Sequence, residues 1–387
     1  MENNHKCAHD SSDICTFNTE SHDLSTHCNA KLTVHVVQHL APGGIETLVL
    51  EMLRLANERH RVLVISLEGN LPRAIQQWPK LASFKGNLIF LNKPSGFHFS
   101  AIIRLARLLK FLKPDVLHTH HIGPLLYGGA ACKLTSVPCH IHTEHDIWHL
   151  SNRNNERLQR MALAIAKPRL VADAEMVSSQ LSRRFKYADI TVIKNGIDCR
   201  RFKPASQSLA RQQFGLPLSG TIIGCAGRLE HVKGQDVLIK ALAMLPSNFS
   251  VAIAGDGSQS DSLKKLAKHL NVSNRIHWLG LVDDMPRFYQ SLDLFCLPSR
   301  HEGFPLSTLE AQSCDIVTVA SHVGAVEETI CPCSGQLFQA EQPHALTAKI
   351  YSALAQMKPL SPRQFVLKNN DIESMVAAYQ RLSMEVR

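Results

Sequence analysis

Two glutamates and two cations in the second half of the chain have the residue types to hold a phosphorylated, hydroxyl-rich ligand. Glu302 and Glu310 stand eight positions apart, and Arg228 and Lys233 stand five positions apart. A guanidinium presents a planar fork to phosphate oxygens, and an ammonium presents a mobile point charge. Ionised carboxylates accept hydrogen bonds from hydroxyl groups. Taken alone, each pair is also compatible with an ordinary solvated segment.

The residues around Glu302 predict an anion site at a helix N-terminus. The apolar run Leu292 to Leu297 predicts a buried strand, Gly303 and Pro305 predict a turn, and a helix should begin near Leu306. The first amides of a helix have no intrahelical partner, and the helix dipole places about half a positive charge there. The alternative is a surface helix with an acidic flank, a favourable contact of roughly 0.3 to 1 kcal/mol.

The segment from Glu302 to Glu310 resembles the nucleotide-sugar signature of retaining glycosyltransferases of family 4, which have the GT-B fold. The resemblance implies that Glu302 binds hydroxyls of the donor sugar and that Glu310 binds the ribose. It also implies that the turn and the first helical amides between them bind the donor diphosphate. The donor-binding residues in this stretch are then Gly303, Phe304, Leu306 and Ser307.

The turn that contains Arg228 and Lys233 resembles the phosphate-binding loop of the same family. The resemblance implies that both cations bind the β-phosphate and that they are catalytic together with Glu302. Their charge would stabilise the departing nucleotide diphosphate, as a bound metal does in other transferases. The chain has no Asp-x-Asp motif to hold Mg²⁺ or Mn²⁺. We therefore predict a UDP- or GDP-linked sugar donor, no metal and no other cofactor.

Two glycine turns should bring backbone close to the donor. Gly43 and Gly44 follow the first predicted strand, and Gly255 and Gly257 follow a strand in the second half. Glycine lets a ligand approach the backbone closely. Each turn is a weak signal alone, and it is the resemblance that implies donor binding for all four residues.

A histidine-rich strand end follows Asp115. Three histidines in four residues, His118, His120 and His121, raise the hypothesis of a zinc site. Because no carboxylate or cysteine stands at an evident third ligand position, we predict no metal. The resemblance implies that His120 is the active-site histidine and approaches the donor sugar or the acceptor, while His118 supports the strand end. A shift of one position in the pleat would reverse which of them faces the cleft.

Two polar residues after the next predicted strand are candidates for acceptor binding. Glu144 and His145 follow the strand Val137 to His142. The resemblance implies acceptor contacts for both residues. A hydrogen-bonded loop network without a ligand remains an equal alternative.

Length and patterning predict two domains. A chain of 387 residues exceeds what one hydrophobic core usually serves, and short apolar runs alternate with helical stretches, which is typical of a parallel sheet. The patterning predicts the fold class α/β. The resemblance implies the GT-B type, with two Rossmann-like doubly wound domains facing across a cleft and a C-terminal helix returning to the first domain. The predicted limits are a disordered polar tail (1–30), an acceptor-side domain (31–197), a nucleotide-sugar domain (198–365) and the returning helix (366–387).

Composition excludes several classes of protein. The net charge of +9 comes without aromatic-basic interleaving, so we predict no nucleic-acid partner, and no Gly-x-Gly-x-x-Gly motif indicates a nicotinamide or flavin enzyme. No apolar run reaches the roughly 20 residues that a membrane helix needs, and the cysteines form no regular framework. We expect a cytoplasmic protein. Arg104, Arg107 and Lys110 beside a leucine stripe predict either weak contact with anionic lipid at the inner face of the membrane or a solvated face.

These observations together predict a retaining hexosyltransferase that uses a nucleotide-sugar and a carbohydrate or lipid-linked acceptor in polysaccharide or glycolipid synthesis. Two alternatives stay open. Asp315, Val317 and Ala325 depart from the family pattern, which leaves room for a catalytically degenerate sugar-nucleotide-binding scaffold. A sugar-nucleotide epimerase on the same two-domain plan is the other alternative.

Overall fold

Two parallel β-sheets, one after the other along the chain, form the framework of the molecule. A computed structural model of the chain describes residues 30–185, 187, 189–355 and 361–385. The predicted disordered tail, residues 1–30, lies outside the described residues except for Ala30.

The first sheet comes from the first half of the chain. Its strands are β1 (Lys31–Val37), β2 (His60–Ser66), β3 (Leu88–Phe90), β4 (Val116–His120), β5 (Cys139–Glu144), β6 (Arg169–Ala172) and β7 (Ile190–Val192). They are parallel and lie in the order β3-β2-β1-β4-β5-β6-β7. The helices that connect them are α1 (Gly44–Arg54), α2 (Leu71–Gln77), α3 (Phe99–Leu112), α4 (Ile122–Thr135), α5 (Arg153–Ala166) and α6 (Glu175–Phe185).

The second sheet repeats this plan. After α7 (Gln207–Gln213), its strands are β8 (Thr221–Ala226), β9 (Phe249–Ala254), β10 (Ile276–Gly280), β11 (Leu294–Leu297), β12 (Val317–Ser321) and β13 (Gln336–Phe338). They are parallel and lie in the order β10-β9-β8-β11-β12-β13. The remaining helices are α8 (Gln235–Leu242), α9 (Ser260–His269), α10 (Met285–Gln290), α11 (Leu306–Ser313), α12 (Pro343–Ala355), α13 (Pro362–Asn369) and α14 (Ile372–Met384).

The central strands are buried on both faces, including strands with polar residues. Every residue of β5 and of β12 is buried, as expected for parallel strands enclosed on both sides. Successive side chains of a strand point to opposite faces, and in β8 the neighbours Ile222 and Ile223 accordingly belong to two separate apolar cores.

Each sheet has one place where the strand order reverses direction. In the first sheet this lies between β1 and β4, and in the second sheet it lies between β8 and β11. Loops leave these neighbouring strands toward opposite faces and open a crevice at the carboxyl ends, where ligands of open α/β sheets bind. The fold therefore places four loops where a site should be: those after β1, β4, β8 and β11.

The C-terminal helix returns to the first domain, as predicted. Ile372, Met375 and Tyr379 of α14 pack in one core with Leu48 and Met52 of α1. The chain just before α14 also bonds to the end of the first domain, because the Ile197 amide donates to the Asn370 carbonyl at 2.9 Å. The predicted fold class is confirmed, while the predicted domain limits stay predictions.

A second contact joins the domains through a helix N-terminus. Glu328, which follows β12, accepts hydrogen bonds from the amides of Glu175 and Met176 at the start of α6, each at 3.0 Å. Lys194 lies 3.0 Å from the same carboxylate. Free amides at a helix start attract negative charge, so Glu328 fastens the second domain to the first.

The connection between the two sheets contains a short helix. Ser206 is the N-cap of α7 and accepts from the Leu209 amide, the usual place for a serine at a helix start. Among the described residues, the helices are all too short or too polar to cross a membrane.

Candidate active site

The loops after β8 and β11 meet at an ion pair between two of the predicted catalytic residues. Lys233 donates to a carboxylate oxygen of Glu302 at 2.7 Å, and Ser299 donates to the same oxygen at 2.6 Å. Lys233 lies in the turn after β8, and Glu302 lies in the turn after β11. The structure thus brings together residues 69 positions apart, at the edge where the strand order reverses.

Arg228 shares this edge of the sheet but differs in exposure. Its side chain is exposed, whereas Glu302 is mostly buried. Gln235, at the start of α8, donates to the Arg228 carbonyl at 3.0 Å and holds the turn while the guanidinium reaches into solvent. An exposed guanidinium beside a half-buried ammonium can bind two oxygens of one phosphate group.

Backbone packing explains the glycines near this turn. A Cβ on Gly255 would strike the carbonyl oxygen of Gly227, and one on Gly257 would lie 2.6 Å from the Leu229 carbonyl oxygen. Gly255 also has φ +143°, which other residues rarely adopt. Both predicted donor-binding glycines therefore support the loop that carries Arg228. Their own contact with a donor stays a prediction.

The turn that carries Glu302 is clamped between two other segments. A Cβ on Gly303 would strike the carbonyl oxygen of His145, from the first domain. A Cβ on Gly324, which has φ +54°, would strike the carbonyl oxygen of Glu302, and the Ala325 amide donates to the Gly303 carbonyl at 3.1 Å. The departure at Ala325 leaves this clamp intact, because only its backbone is used.

Helix α11 begins beside this turn with free amides. Its N-cap is Pro305 in extended conformation, and no side chain caps the helix. Phe304 is buried beneath the turn, and Leu306 packs against the core that contains Leu48 of α1. The amides of the first turn, including that of Ser307, therefore have no side-chain cap, and their binding of an anion stays a prediction.

Glu310 lies one turn further along α11. Its carboxylate accepts from the Tyr289 hydroxyl at 2.7 Å. Burial raises the pKa of Glu310, and the Tyr289 hydrogen bond and the charge of Arg201 only partly oppose this. A carboxylate already bonded on one oxygen keeps the other for a ligand hydroxyl.

The glycines after β1 also precede an uncapped helix. Gly43 is the N-cap of α1 and receives no side-chain hydrogen bond. Its conformation is extended, and a Cβ on Gly44 would meet open space. A Cβ on Gly43, in contrast, would strike a carboxylate oxygen of Glu46, so that side chain lies over the start of α1, and donor contact by the two glycines stays a prediction.

His120 is a buried residue at the end of β4. His118 and His120 both lie on one face of β4 and are buried. His120 bonds through one ring nitrogen to His35 and through the other to His145, each at 3.0 Å. The catalytic role of His120 stays a prediction.

The histidine that β4 presents at its end is His121. Its side chain is 32% exposed, and its φ of +66° is unusual for a residue with a side chain. Its Nδ1 lies 3.6 Å from Glu144. Burial lowers the pKa of His121, but the hydrogen bond and charge of Glu144 together with the charge of Asp146 outweigh burial and raise it. The sequence did not single out His121 as the histidine exposed at the end of β4, although it stands immediately before a helix.

The two predicted acceptor residues differ in how they are held. Glu144 is fully buried and bonds to His142 and Gln159. Burial would raise its pKa, but hydrogen bonds from His121 and His142 hold it well below the usual range. His145 is buried as well, but its carbonyl touches Gly303. The first domain therefore reaches the Glu302 turn through the backbone of His145.

An aromatic pair lies where the two domains face each other. The ring of Trp148, which follows β5, stacks on the ring of His301, which follows β11, with centroids 6.2 Å apart. Trp148 is half exposed. Neither residue was singled out from the sequence, because their contact exists only when the two loops meet.

A pH prediction follows from His149. Burial lowers its pKa, but Asp146 at 3.2 Å, Glu144 and Gln159 outweigh burial and raise the pKa to about 9. A raised pKa in the folded state stabilises the protein fully below the ordinary value of 6.5, and this contribution is lost as pH rises through about 9. We expect His149→Gln to lower the free energy of unfolding near pH 6.5 and to flatten its fall toward pH 9.

Urea unfolding across this pH range measures the effect. The matched control is His269→Gln, which changes an exposed histidine at the end of α9. An identical pH dependence in the parent and in His149→Gln would show that His149 is not held as a cation.

A second prediction concerns the clamp on Glu302. Gly324→Ala places a methyl group against the Glu302 carbonyl, so we expect at least a tenfold loss of UDP affinity by titration calorimetry together with a lower melting temperature. Gly215→Ala is the control, because Gly215 has a similar φ of +62° but open space around it. This variant has the backbone strain of roughly 1 to 2 kcal/mol without the collision. Equal UDP affinities in the two variants would contradict the clamp.

Comparison with known proteins agrees with this geometry. The family model for glycosyltransferase family 4 matches residues 42–201, and the model for glycosyl transferases group 1 matches residues 206–376. The D-inositol 3-phosphate glycosyltransferase of Salinispora tropica is 28% identical over 350 residues, which cover 78% of this chain and 72% of the relative. Two further enzymes of that name align over little more than half of their length.

Other relatives share the same class. The UDP-Gal:alpha-D-GlcNAc-diphosphoundecaprenol alpha-1,3-galactosyltransferase of Escherichia coli is 28% identical over 319 residues, which cover 77% of this chain and 81% of the relative. The crystal structure of Anabaena HepE with UDP-glucose superposes with a TM-score of 0.79 at 22% identity, covering 92% of this chain and all of that one. This likeness shows a shared fold. With both halves matched in order by these two models, the chain belongs to the family 4, group 1 glycosyltransferases.

Proposed function

We propose that this glycosyltransferase moves a hexosyl group from a UDP- or GDP-sugar to a carbohydrate or lipid-linked acceptor, with retention of configuration and without a divalent metal. One observation carries the proposal. Arg228, Lys233 and the uncapped start of α11 converge on the carboxyl edge of the second sheet where the strand order reverses. Two cations and a helix N-terminus are together suited to a diphosphate.

The Lys233 to Glu302 pair suggests how a donor would be recognised. Without ligand, the ammonium is neutralised by the carboxylate at 2.7 Å. A diphosphate bound at Arg228 would attract Lys233 and leave Glu302 free to accept from sugar hydroxyls. Donor binding would thus exchange the ion pair between Lys233 and Glu302 for one between Lys233 and the diphosphate. Lys233 and Glu302 would take up their predicted roles in the same step.

The proposed chemistry balances without an enzyme nucleophile. The acceptor oxygen forms a bond to the anomeric carbon on the face from which the diphosphate departs, and the bond between that carbon and the phosphate oxygen breaks. The acceptor proton passes to the departing phosphate oxygen. Arg228, Lys233 and the α11 amides stabilise the charge that develops on the diphosphate.

The relatives support a nucleotide-sugar donor and leave the acceptor undefined. The Escherichia coli relative is named for a UDP-galactose donor and a diphosphoundecaprenol-linked acceptor, and the Anabaena structure contains UDP-glucose. Those of Salinispora and Mycolicibacterium are named for inositol phosphate. A UDP-sugar is therefore the first donor to test, and a scaffold that binds without turnover is the alternative.

A donor panel tests the proposal. The protein is incubated with UDP- and GDP-sugars, and released nucleotide is measured with and without EDTA. We expect release with one donor, unaffected by EDTA and reduced at least a hundredfold in Lys233→Ala and Glu302→Ala. Lys240→Ala, which removes a half-exposed lysine paired with Asp236 on α8, is the control and should keep the parent rate. Tight donor binding without nucleotide release would favour the scaffold.

We further propose weak contact of α3 with anionic lipid. Arg104, Arg107 and Phe111 are exposed on one side of this helix, and Phe111 is 77% exposed. Phe97 and Phe99 near the start of α3 are exposed too. Exposed aromatic rings among cations are typical of helices that lie at the membrane surface. The basic face of α5 is a weaker candidate, because Glu156 pairs with cations there.

Sedimentation with vesicles tests this contact. We expect binding to phosphatidylglycerol-containing vesicles that weakens with salt and falls at least fivefold in the double variant Arg104→Glu, Arg107→Glu. The control is Lys265→Glu, Lys268→Glu, which makes the same charge change on exposed positions of α9. Sedimentation that is absent, or equally reduced in both double variants, would contradict a lipid-binding face on α3.

A further inference from the structure

Three buried histidines in the first sheet lie close enough to share one ion. His35 is on β1, and His118 and His120 are on the neighbouring strand β4, where His35 and His118 are paired in register. One ring nitrogen from each residue lies within 4.8 Å of the others, and all three side chains are buried. Nitrogens of a tetrahedral zinc site are about 3.3 Å apart, so small side-chain movements would complete the geometry.

Hydrogen bonds at one ring nitrogen of His120 and of His118 orient each ring and so place its other nitrogen. Asp173 accepts from His145 Nδ1 at 3.2 Å, so His145 Nε2 accepts from His120 Nδ1 at 3.0 Å. In this order His120 Nε2 accepts a hydrogen bond from His35 Nδ1 at 3.0 Å, so a bound ion would take the place of that hydrogen bond. His118 Nε2 is hydrogen-bonded to the Thr143 hydroxyl at 2.8 Å, so Nδ1 is the nitrogen of His118 that faces a ligand. Partners of this kind orient the histidine ligands of known metal sites.

A cavity beside two of the three rings gives room for a further ligand. It has a volume of about 60 Å³, and His35, His118 and Tyr379 are among the residues that line it. A space of this size holds several water molecules. Three protein nitrogens with an open fourth position describe a common zinc coordination.

We propose that His35, His118 and His120 bind one divalent transition-metal ion, zinc by preference, in the core of the first domain. Ligands that are all imidazole suit Zn²⁺, Ni²⁺ and Cu²⁺ and disfavour Mg²⁺ and Ca²⁺. The ion joins β1 to β4 where the strand order reverses, one residue before His121. It is separate from the proposed diphosphate site, which lies on the second sheet. Sequence analysis did not find this site, because the third ligand, His35, lies 83 positions before His118.

Zinc titration of the full-length protein, stripped with EDTA and dialysed, tests the site. We expect one saturable Zn²⁺ per chain, at least tenfold weaker binding in His35→Asn and in His118→Asn, and a melting temperature that Zn²⁺ raises in the parent but in neither of these two variants. His140→Asn is the matched control, because His140 is a buried histidine on β5 that bonds to Thr119 instead. It should keep the parent's zinc affinity.

A second control addresses the N-terminal segment, which contains His5, His9, His22 and His27. Replacing all four histidines by glutamine should leave the binding of the one tightly bound Zn²⁺ unchanged. Co²⁺ bound to the parent should give the visible absorption of a four-coordinate site, a measurement that needs no variant to fold. Three results would each overturn the proposal. The parent would bind no Zn²⁺ or Co²⁺ saturably, or His35→Asn and His118→Asn would both bind Zn²⁺ as the parent does. The third result is loss of the tightly bound Zn²⁺ when the N-terminal histidines are replaced.

Discussion

The site depends on three stretches of backbone that approach without intervening side chains. Gly303 lies against the His145 carbonyl, and Gly324 lies against the Glu302 carbonyl. The first contact joins the two domains, and the second fixes the turn that carries Glu302. Side chains can reorient around such contacts, but the backbones cannot separate without opening the cleft. The position of Glu302 relative to Lys233 follows from this packing.

Charges around the cleft are balanced mostly in pairs. Lys233 faces Glu302, Glu328 faces Lys194 and the start of α6, and His149 faces Asp146. Arg228 differs, because its side chain extends into solvent. A protein that binds a diphosphate must accept about two negative charges, and the proposed site does so with one exposed cation, one paired cation and the free amides of α11.

Histidines of the first domain have opposite electrostatic states depending on their place in the sheet. His35, His118 and His120 lie beneath the strand ends, where burial favours the neutral ring. His121 and His149 lie at the strand ends beside Glu144 and Asp146, where carboxylates favour the cation. A change of one position, from His120 to His121, therefore separates a residue whose pKa burial lowers from one whose pKa neighbouring carboxylates raise.

The sequence by itself determined the two parallel sheets, the returning helix and the candidate donor residues, because hydrophobic periodicity and the spacing of Arg228, Lys233, Glu302 and Glu310 are local properties of the chain. It did not reveal the Gly324 clamp, the exposure of His121 or the convergence of His35 with His118. Those depend on which strands become neighbours and on which loops meet across the cleft. Only the tertiary structure decides such contacts, since residues far apart in the chain are brought together by packing that no short segment encodes.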